Sequence, residues 1–243
     1  MKNILLTGAS RGLGLEICKT LLESGNYCVY ATSRAKSGEL ETLSETFSGR
    51  LFYKAADLSD AVSAKSALFA DDFISHKVPL SGFVNNAALA YDDLVSNLDI
   101  SQTKEMFAVN VFTPMMLVKC AVRNMILNRL LGSIVHISSI SAHTGYKGLA
   151  MYAATKGAME AFSKNTAREW GQRGIRSNCV VCGFMQTDMS ASLSGEQREK
   201  IYNRTALKEA TSPQSVAQTV GFLLSEKSKS ITGQNLFVDS GTI

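Results

Sequence analysis

A chain of 243 residues is the size of one α/β domain with an extensive core. A formal net charge of +4, with no run of like charges, excludes a nucleic-acid arm, and no apolar stretch approaching about 18 residues stands out as a membrane span. The five cysteines (Cys18, Cys28, Cys120, Cys179, Cys182) follow no metal-ligand spacing, so no metal is expected and free thiols in a reducing compartment are.

Met1-Lys2 leads straight into an apolar run at residues 3–6, read as a buried strand. That leaves no room for a signal peptide, and a cytoplasmic protein is the expectation. A glycine turn follows, with Gly8, Gly12 and Gly14 spaced Gly-x-x-x-Gly-x-Gly. Leu15, Ile17, Cys18, Leu21 and Leu22 then recur with helical spacing up to Gly25. Strand, glycine turn and helix make the setting of a dinucleotide site, where the backbone approaches a pyrophosphate and the helix start offers free N–H groups. Further strands are expected at residues 28–31, 51–54, 82–85, 133–138, 176–181 and 235–238. Their apolar runs are continuous, as in parallel strands covered on both faces. The longest helices are expected at residues 101–130, where Pro114 kinks the helix or changes its course, and at 151–172. Cys179 and Cys182 form Cys-x-x-Cys, but on a strand and its exit, so no redox role is expected. The pattern describes one doubly wound α/β domain over residues 1–243, with ligands at the carboxyl ends of the strands.

Tyr152 precedes Lys156 by four residues, and Ser139 lies thirteen residues upstream of the tyrosine. Residues four apart share a helix face, so the lysine ammonium would favour the phenolate and make the phenol a more useful acid. A hydroxyl from Ser139 could hold a carbonyl oxygen while Tyr152 protonates it. Ser138 is the neighbour most easily confused with Ser139, and the two cannot share the role because adjacent strand side chains point to opposite faces.

Together these motifs resemble the short-chain dehydrogenase/reductase family over essentially the whole chain, which implies a Rossmann-type doubly wound parallel sheet flanked by helices. The resemblance assigns residues about 1–135 to a cofactor half and about 136–243 to a catalytic and substrate half. Its cofactor turn falls on Thr7, Gly8, Ser10, Arg11, Gly12, Leu13 and Gly14, and its adenine side on Asp57 and Leu58. The Asn-Asn-Ala-Gly stretch appears as Asn85-Asn86-Ala87-Ala88, placing Asn86 and Ala87 at the cofactor. Asn110, Ser139, Tyr152 and Lys156 take the catalytic places; Asn110 would hold a water, and Lys156 would also bond the nicotinamide ribose. Gly183 and Thr187 complete the cofactor set on the nicotinamide side. Two departures stand out. Ala88 replaces a glycine, which matters if the position needs φ > 0, and Cys182 replaces a proline, which leaves that turn looser.

At the end of the second strand Tyr30-Ala31-Thr32-Ser33-Arg34 carries a cation where an NAD site would carry a carboxylate. Arg34, with Arg11, suits a 2′-phosphate and favours NADP(H), unless both are solvated surface arginines. Residues 188–211 are the expected substrate lid, and His143 and Tyr146 lie on a loop that should border the substrate, with no catalytic role expected for the histidine. His76 and His136 are read as structural. The nearest-looking subgroup is the 3-oxoacyl-[acyl-carrier-protein] reductases, in which cations meet an acidic carrier protein; Arg123, Arg129 and Arg173 could do so here, or be ordinary solvated arginines. The alternatives are an NADPH-dependent reductase of another small ketone, polyketide intermediate or sugar, and a catalytically silent partner subunit. Retention of all four catalytic residues speaks against the last. The many apolar residues of the helix at 101–130, with Met159, Phe162 and Trp170 of the next long helix, exceed what one sheet face needs. By resemblance they form a two-fold interface, and the last strand near Phe237 a second, giving a homotetramer or, with the helical face alone, a dimer.

Overall fold

The computed structural model describes residues 1–186 and 194–243. Seven strands, β1 (Lys2–Thr7), β2 (Tyr27–Ser33), β3 (Leu51–Ala55), β4 (Leu80–Asn85), β5 (Gly132–Ser139), β6 (Ile175–Cys182) and β7 (Asn235–Val238), form one sheet in the order β3-β2-β1-β4-β5-β6-β7. Every pairing is parallel. Each expected strand is present, most of them longer by one to three residues because the ladder continues into polar ends such as Thr7, Ser33 and Ser139.

The helices are α1 (Gly12–Glu23), α2 (Gly38–Thr46), α3 (Ala61–Leu68), α4 (Ile100–Phe107), α5 (Thr113–Leu127), α6 (Ala150–Trp170), α7 (Gly195–Tyr202) and α8 (Pro213–Leu224). They cover the sheet on both faces, and strand alternation sorts the core into two layers. Ile4 and Leu6 of β1, with Val135 and Ile137 of β5, face Ile17, Leu21 and Leu22 of α1 and Val216, Val220 and Leu223 of α8. Leu5 and Ile134 face the other way, onto Leu68 of α3 and Leu117, Val118, Ala121 and Met125 of α5. The order in which strands are added reverses between β1 and β4, so the carboxyl ends of these two parallel strands open a crevice there.

Residues 100–127 run as one continuous helix of 28 residues, long and apolar enough to cross a membrane by length and composition, which corrects the expectation that no such stretch exists. Half of its most apolar window is buried inside the fold, as in a core helix. A widened π turn at Ala108–Phe112 joins α4 to α5, whose second residue is Pro114. Proline lacks the N–H that would bond the carbonyl four residues back, at Asn110, and the π turn accommodates the gap. After α5 the chain turns through Arg129 in the left-handed region (φ 53). Arg129 N–H bonds the Ile126 carbonyl at 3.0 Å and Leu130 N–H the Met125 carbonyl at 2.9 Å, a Schellman closure with arginine where glycine is usual.

Candidate active site

The glycine turn is held from below by side chains. Thr7 Oγ1 accepts from the N–H groups of Asn86 and Ala87, both at 3.1 Å, and Asn86 Nδ2 donates to the carbonyls of Thr7 (3.0 Å) and Gly8 (3.1 Å). The clamp leaves no room for side chains. A Cβ on Gly14 would sit 1.9 Å from the Gly8 carbonyl oxygen, and Gly8, at φ 70, would place one 2.8 Å from Ala87 Cα. Thr7 and Asn86 thus shape the turn with polar atoms already committed to the protein. Ala88 does not have positive φ, so the methyl group there meets no backbone penalty.

Arg11, extended at φ −159, precedes α1, and among the described residues no side chain caps the helix start. The first amide N–H groups of α1, beginning at Gly12 and Leu13, therefore remain for an anion, which fits a dinucleotide pyrophosphate. Ser37 Oγ donates to the Ser10 carbonyl at 2.5 Å and ties the loop after β2 to the turn. Arg34 lies exposed on that loop with no ion pair among the described residues. Asp57, also exposed, accepts from Ser59 N–H at 2.9 Å, while Leu58 beside it is buried.

The catalytic candidates converge at the carboxyl edge of β5. Lys156 Nζ lies 5.4 Å from the centroid of the Tyr152 ring and donates to the Ile137 carbonyl, 2.9 Å away and two residues before Ser139. Ser139 Oγ accepts from the N–H (3.2 Å) and hydroxyl (3.0 Å) of Ser141. Ser138 points the other way, its hydroxyl bonded to Glu160 Oε1 at 2.5 Å, which separates the two serines as strand alternation demands. Asn110 is fixed through its side chain. Its Oδ1 accepts from Leu89 N–H and its Nδ2 donates to the Leu89 carbonyl, both at 2.8 Å, and to Thr155 Oγ1 at 3.1 Å. Both Nδ2 hydrogens are committed, and the main-chain carbonyl left without its helical partner by Pro114 is available for the water expected at Asn110.

On the nicotinamide side Cys182 is not the start of a loose turn. It is the last residue of β6, paired with Ser139 and Val238. Gly183 follows, with its N–H on the Val238 carbonyl at 2.9 Å. The buried Thr211 Oγ1 has no hydrogen-bond partner among the described residues and lies 2.3 Å from where a Gly183 Cβ would be. Thr187 and residues 188–193 of the expected lid lie outside the described residues. The remainder contains α7, started by a Ser194–Gln197 capping box and with no buried residue, whose Tyr202 meets Gln186 and approaches the Phe184 ring at 6.2 Å.

A family model described as "Enoyl-(Acyl carrier protein) reductase" matches residues 8–242. A structure titled "short chain dehydrogenase/reductase family protein" superposes with a TM-score of 0.86 at 29% identity, covering 99% of this chain and 96% of that one. This chain belongs to the short-chain dehydrogenase/reductase family. Family relatives include the oxidoreductase YmfI of Bacillus subtilis, described as uncharacterized, 34% identical over 99% of this chain and 98% of that protein. An L-xylulose reductase of Caenorhabditis elegans is 33% identical over 99% of this chain and 95% of that protein. The 3-oxoacyl-[acyl-carrier-protein] reductase FabG of Staphylococcus aureus is also 33% identical, over 99% and 97%. A 4-hydroxyisoleucine dehydrogenase complexed with NADH shares the fold at a TM-score of 0.92 and 24% identity, covering 100% of this chain and 98% of that one.

Electrostatics at this family site departs from the simple tyrosine–lysine account. Burial pushes the Tyr152 phenol well above its ordinary range, reinforced by Cys182 and Asp92, so the pair does not lower it as expected. Burial also pulls Lys156 down to about 8, against the opposing influence of Cys182, Cys179 and Glu160. Desolvation outweighs the attraction between partners that stack rather than meet head-on. A phenol kept protonated remains a competent donor, because an alkoxide is a far stronger base than a phenolate. His136 is buried beside Asn85 Nδ2 (3.3 Å) and pushed down to about 3 by desolvation, which keeps it neutral and structural.

Three features were not found in the sequence: the Thr7–Asn86 clamp, the Asn110–Thr155 link and the Glu160 cluster. Only the last had a signal, since Tyr152, Lys156 and Glu160 recur every four residues along one helix face.

Proposed function

We propose that this oxidoreductase uses NADPH to reduce a carbonyl to an alcohol, with a 3-oxoacyl thioester on acyl carrier protein as substrate. A bound reduced nicotinamide would supply hydride to the carbonyl carbon. Ser139 would hydrogen-bond the carbonyl oxygen and Tyr152 would protonate it. Lys156 has one ammonium N–H on Ile137, and the other two are suited to the nicotinamide ribose. The uncapped start of α1 would receive the pyrophosphate, and Arg34, with Arg11, a 2′-phosphate.

The observation that supports the substrate reading is a small pocket of about 160 Å³ lined by Ile126, Arg129, Leu130, Leu131 and Arg173, at the amino ends of β5 and β6, from which a carrier would serve the carboxyl-edge site of a neighbouring subunit rather than that of its own. It combines two cations with apolar side chains, as an acidic helical carrier would require. A non-glycine residue in the left-handed region costs roughly 1 kcal/mol, so Arg129 is kept at some expense to the fold. Arg123 lies apart from it, on the groove between α5 and α6. The second reading is a sugar reductase, favoured by the equally similar L-xylulose reductase.

Assembly belongs to the same reading. Met106, Leu117, Val118, Ala121, Val122 and Met125 are buried within the chain. Phe112, Ile126 and Leu127 remain exposed, and a groove of about 430 Å³ between α5 and α6 is lined by Met115, Phe162 and Trp170 among others. These features support a two-fold helical interface, and Phe237, 44% exposed on β7, supports a second contact and a homotetramer. Five free thiols suit a reducing cytoplasm.

The deciding assay compares acetoacetyl thioester on acyl carrier protein, free ketones and L-xylulose, each with NADPH and NADH. Arg129→Gly should stabilise the fold by about 1 kcal/mol while raising KM for the carrier-bound thioester alone. Turnover confined to free ketones or the sugar, or KM for the carrier thioester unchanged in that variant, would overturn the substrate reading.

A further inference from the structure

We propose that Glu160 is a positioning residue for Ser139, acting as a buried carboxylate that anchors the chain immediately before and after that serine. This inference rests on the catalytic reading of Ser139 and extends it to a residue that touches no reacting atom.

Glu160 lies on α6, one turn beyond Lys156 and two beyond Tyr152, and is only 6% exposed. A carboxylate is rarely buried unless every lone pair finds a donor. Here Oε1 accepts from the Ser138 hydroxyl at 2.5 Å and lies 3.0 Å from His143 Nε2, which is 2.9 Å from Oε2. Oε2 also accepts from Asn235 Nδ2 at 2.6 Å. The three donors come from three places: the end of β5, the loop after it, and the start of β7. The His143 ring is further fixed edge-on against Phe237, 4.8 Å between centroids.

Two of these anchors bracket the catalytic serine. Ser138 precedes it, and His143 closes the short 3₁₀ turn at Ile140–Ala142 that follows it. His143 N–H also bonds the Ile140 carbonyl at 2.9 Å, so the imidazole anchor and the turn form one rigid piece. Between the anchors, Ser139 Oγ is oriented by Ser141, its only hydrogen-bond partner among the described residues. Tyr152, Lys156 and Glu160 thus form one stripe on α6, and the last member fixes the strand end opposite the first. The helix that carries the acid also sets the position of the hydroxyl that must meet the same carbonyl oxygen. Small displacements of such a group are costly to turnover because the reacting geometry is narrow.

Glu160→Gln tests this. A glutamine has the same length but one acceptor oxygen, and its NH2 must face one of the three donors. Amide hydrogen exchange at residues 138–144 should accelerate at least about tenfold, while exchange in β1 and α1 stays unchanged. Turnover should fall by about tenfold to a hundredfold, with KM for the carbonyl substrate and the NADPH dissociation constant each within about twofold. His143→Ala removes one anchor from a solvent-facing loop and should give the same pattern at smaller amplitude; it carries the test if Glu160→Gln does not fold. Unchanged exchange with near-parental turnover would overturn the proposal. So would a loss of cofactor affinity in step with turnover, which would mark Glu160 as a general support of the fold. If the parent protein reduces no carbonyl, the functional reading fails, while the exchange measurement still decides whether Glu160 holds the Ser139 segment.

Discussion

The turn after β1 and the inner face of α6 meet the same carboxyl edge of one sheet, but they are made of different materials. The turn is backbone: Gly8 and Gly14 leave no space for a Cβ, and the side chains of Thr7 and Asn86 are committed to each other's main chains. What it offers a ligand is a set of N–H groups at an uncapped helix start. The α6 face is side chain: Tyr152, Lys156 and Glu160, all removed from water to different degrees, with the proton affinities of Tyr152 and Lys156 governed first by burial. A cradle built from N–H groups is insensitive to pH and intolerant of volume. A cluster of buried titratable groups is tolerant of small volume changes and sensitive to every proton.

That contrast can be broken at its strongest point with Tyr152→Phe. Removing only the phenolic hydroxyl should lower turnover by about 10²- to 10⁴-fold while leaving the cofactor dissociation constant unchanged, measured by steady-state kinetics beside fluorescence titration. Near-parental turnover would remove the proton donor from the mechanism. The complementary break is Gly14→Ala, whose added methyl collides with the Gly8 carbonyl. It should weaken cofactor binding by about tenfold to a hundredfold and destabilise the fold by about 1–3 kcal/mol, since neither neighbour is a flexible side-chain end. Tight cofactor binding in this variant would mean the turn is not the pyrophosphate seat.

A pH series sharpens the comparison further. Lys156 falls from 10.5 to about 8 in the fold, so its ammonium is lost as pH rises through about 8. The carbonyl-reduction kcat/KM should bend downward there, by about tenfold per unit beyond the bend. Stability should move the opposite way. Between about 8 and 10.5 the unfolded chain binds the extra proton, so this group's contribution to stability rises with pH across that window. Cofactor affinity should bend far less there, because Lys156 touches only the ribose and the N–H groups of the glycine turn do not titrate. The smallest effect is expected from Arg34→Asp, an exposed substitution on the turn side. It should shift the NADPH-to-NADH preference by about tenfold, more at low salt than at high salt, because the contact is solvent-screened. An unmutated protein that uses both cofactors equally would remove the role given to Arg34.

All seven strands and the family were legible in the sequence, because both rest on local features: continuous apolar runs, a glycine spacing next to a strand, and a tyrosine and lysine one helical turn apart. Pairs that depend on distant parts of the chain were not legible. Thr7 meets Asn86 across 79 residues, Asn110 meets Thr155 across 45, and Glu160 meets Asn235 across 75. Sequence periodicity carries no trace of such partners, so nothing in it ties the Asn110 amide to Leu89 and Thr155. The long helix, expected at 101–130 and found at 100–127, is rich in apolar residues, but only packing separates Leu117 and Met125, which face the sheet, from Phe112 and Leu127, which do not. The sequence by itself determined the element order, the position of the glycine turn and the identities of the serine, tyrosine and lysine, since these follow from short-range sterics and helical spacing. Tertiary structure decided the protonation of Tyr152 and Lys156 and the anchoring of Ser139, because desolvation and hydrogen-bond partnership depend on which distant elements close over a side chain.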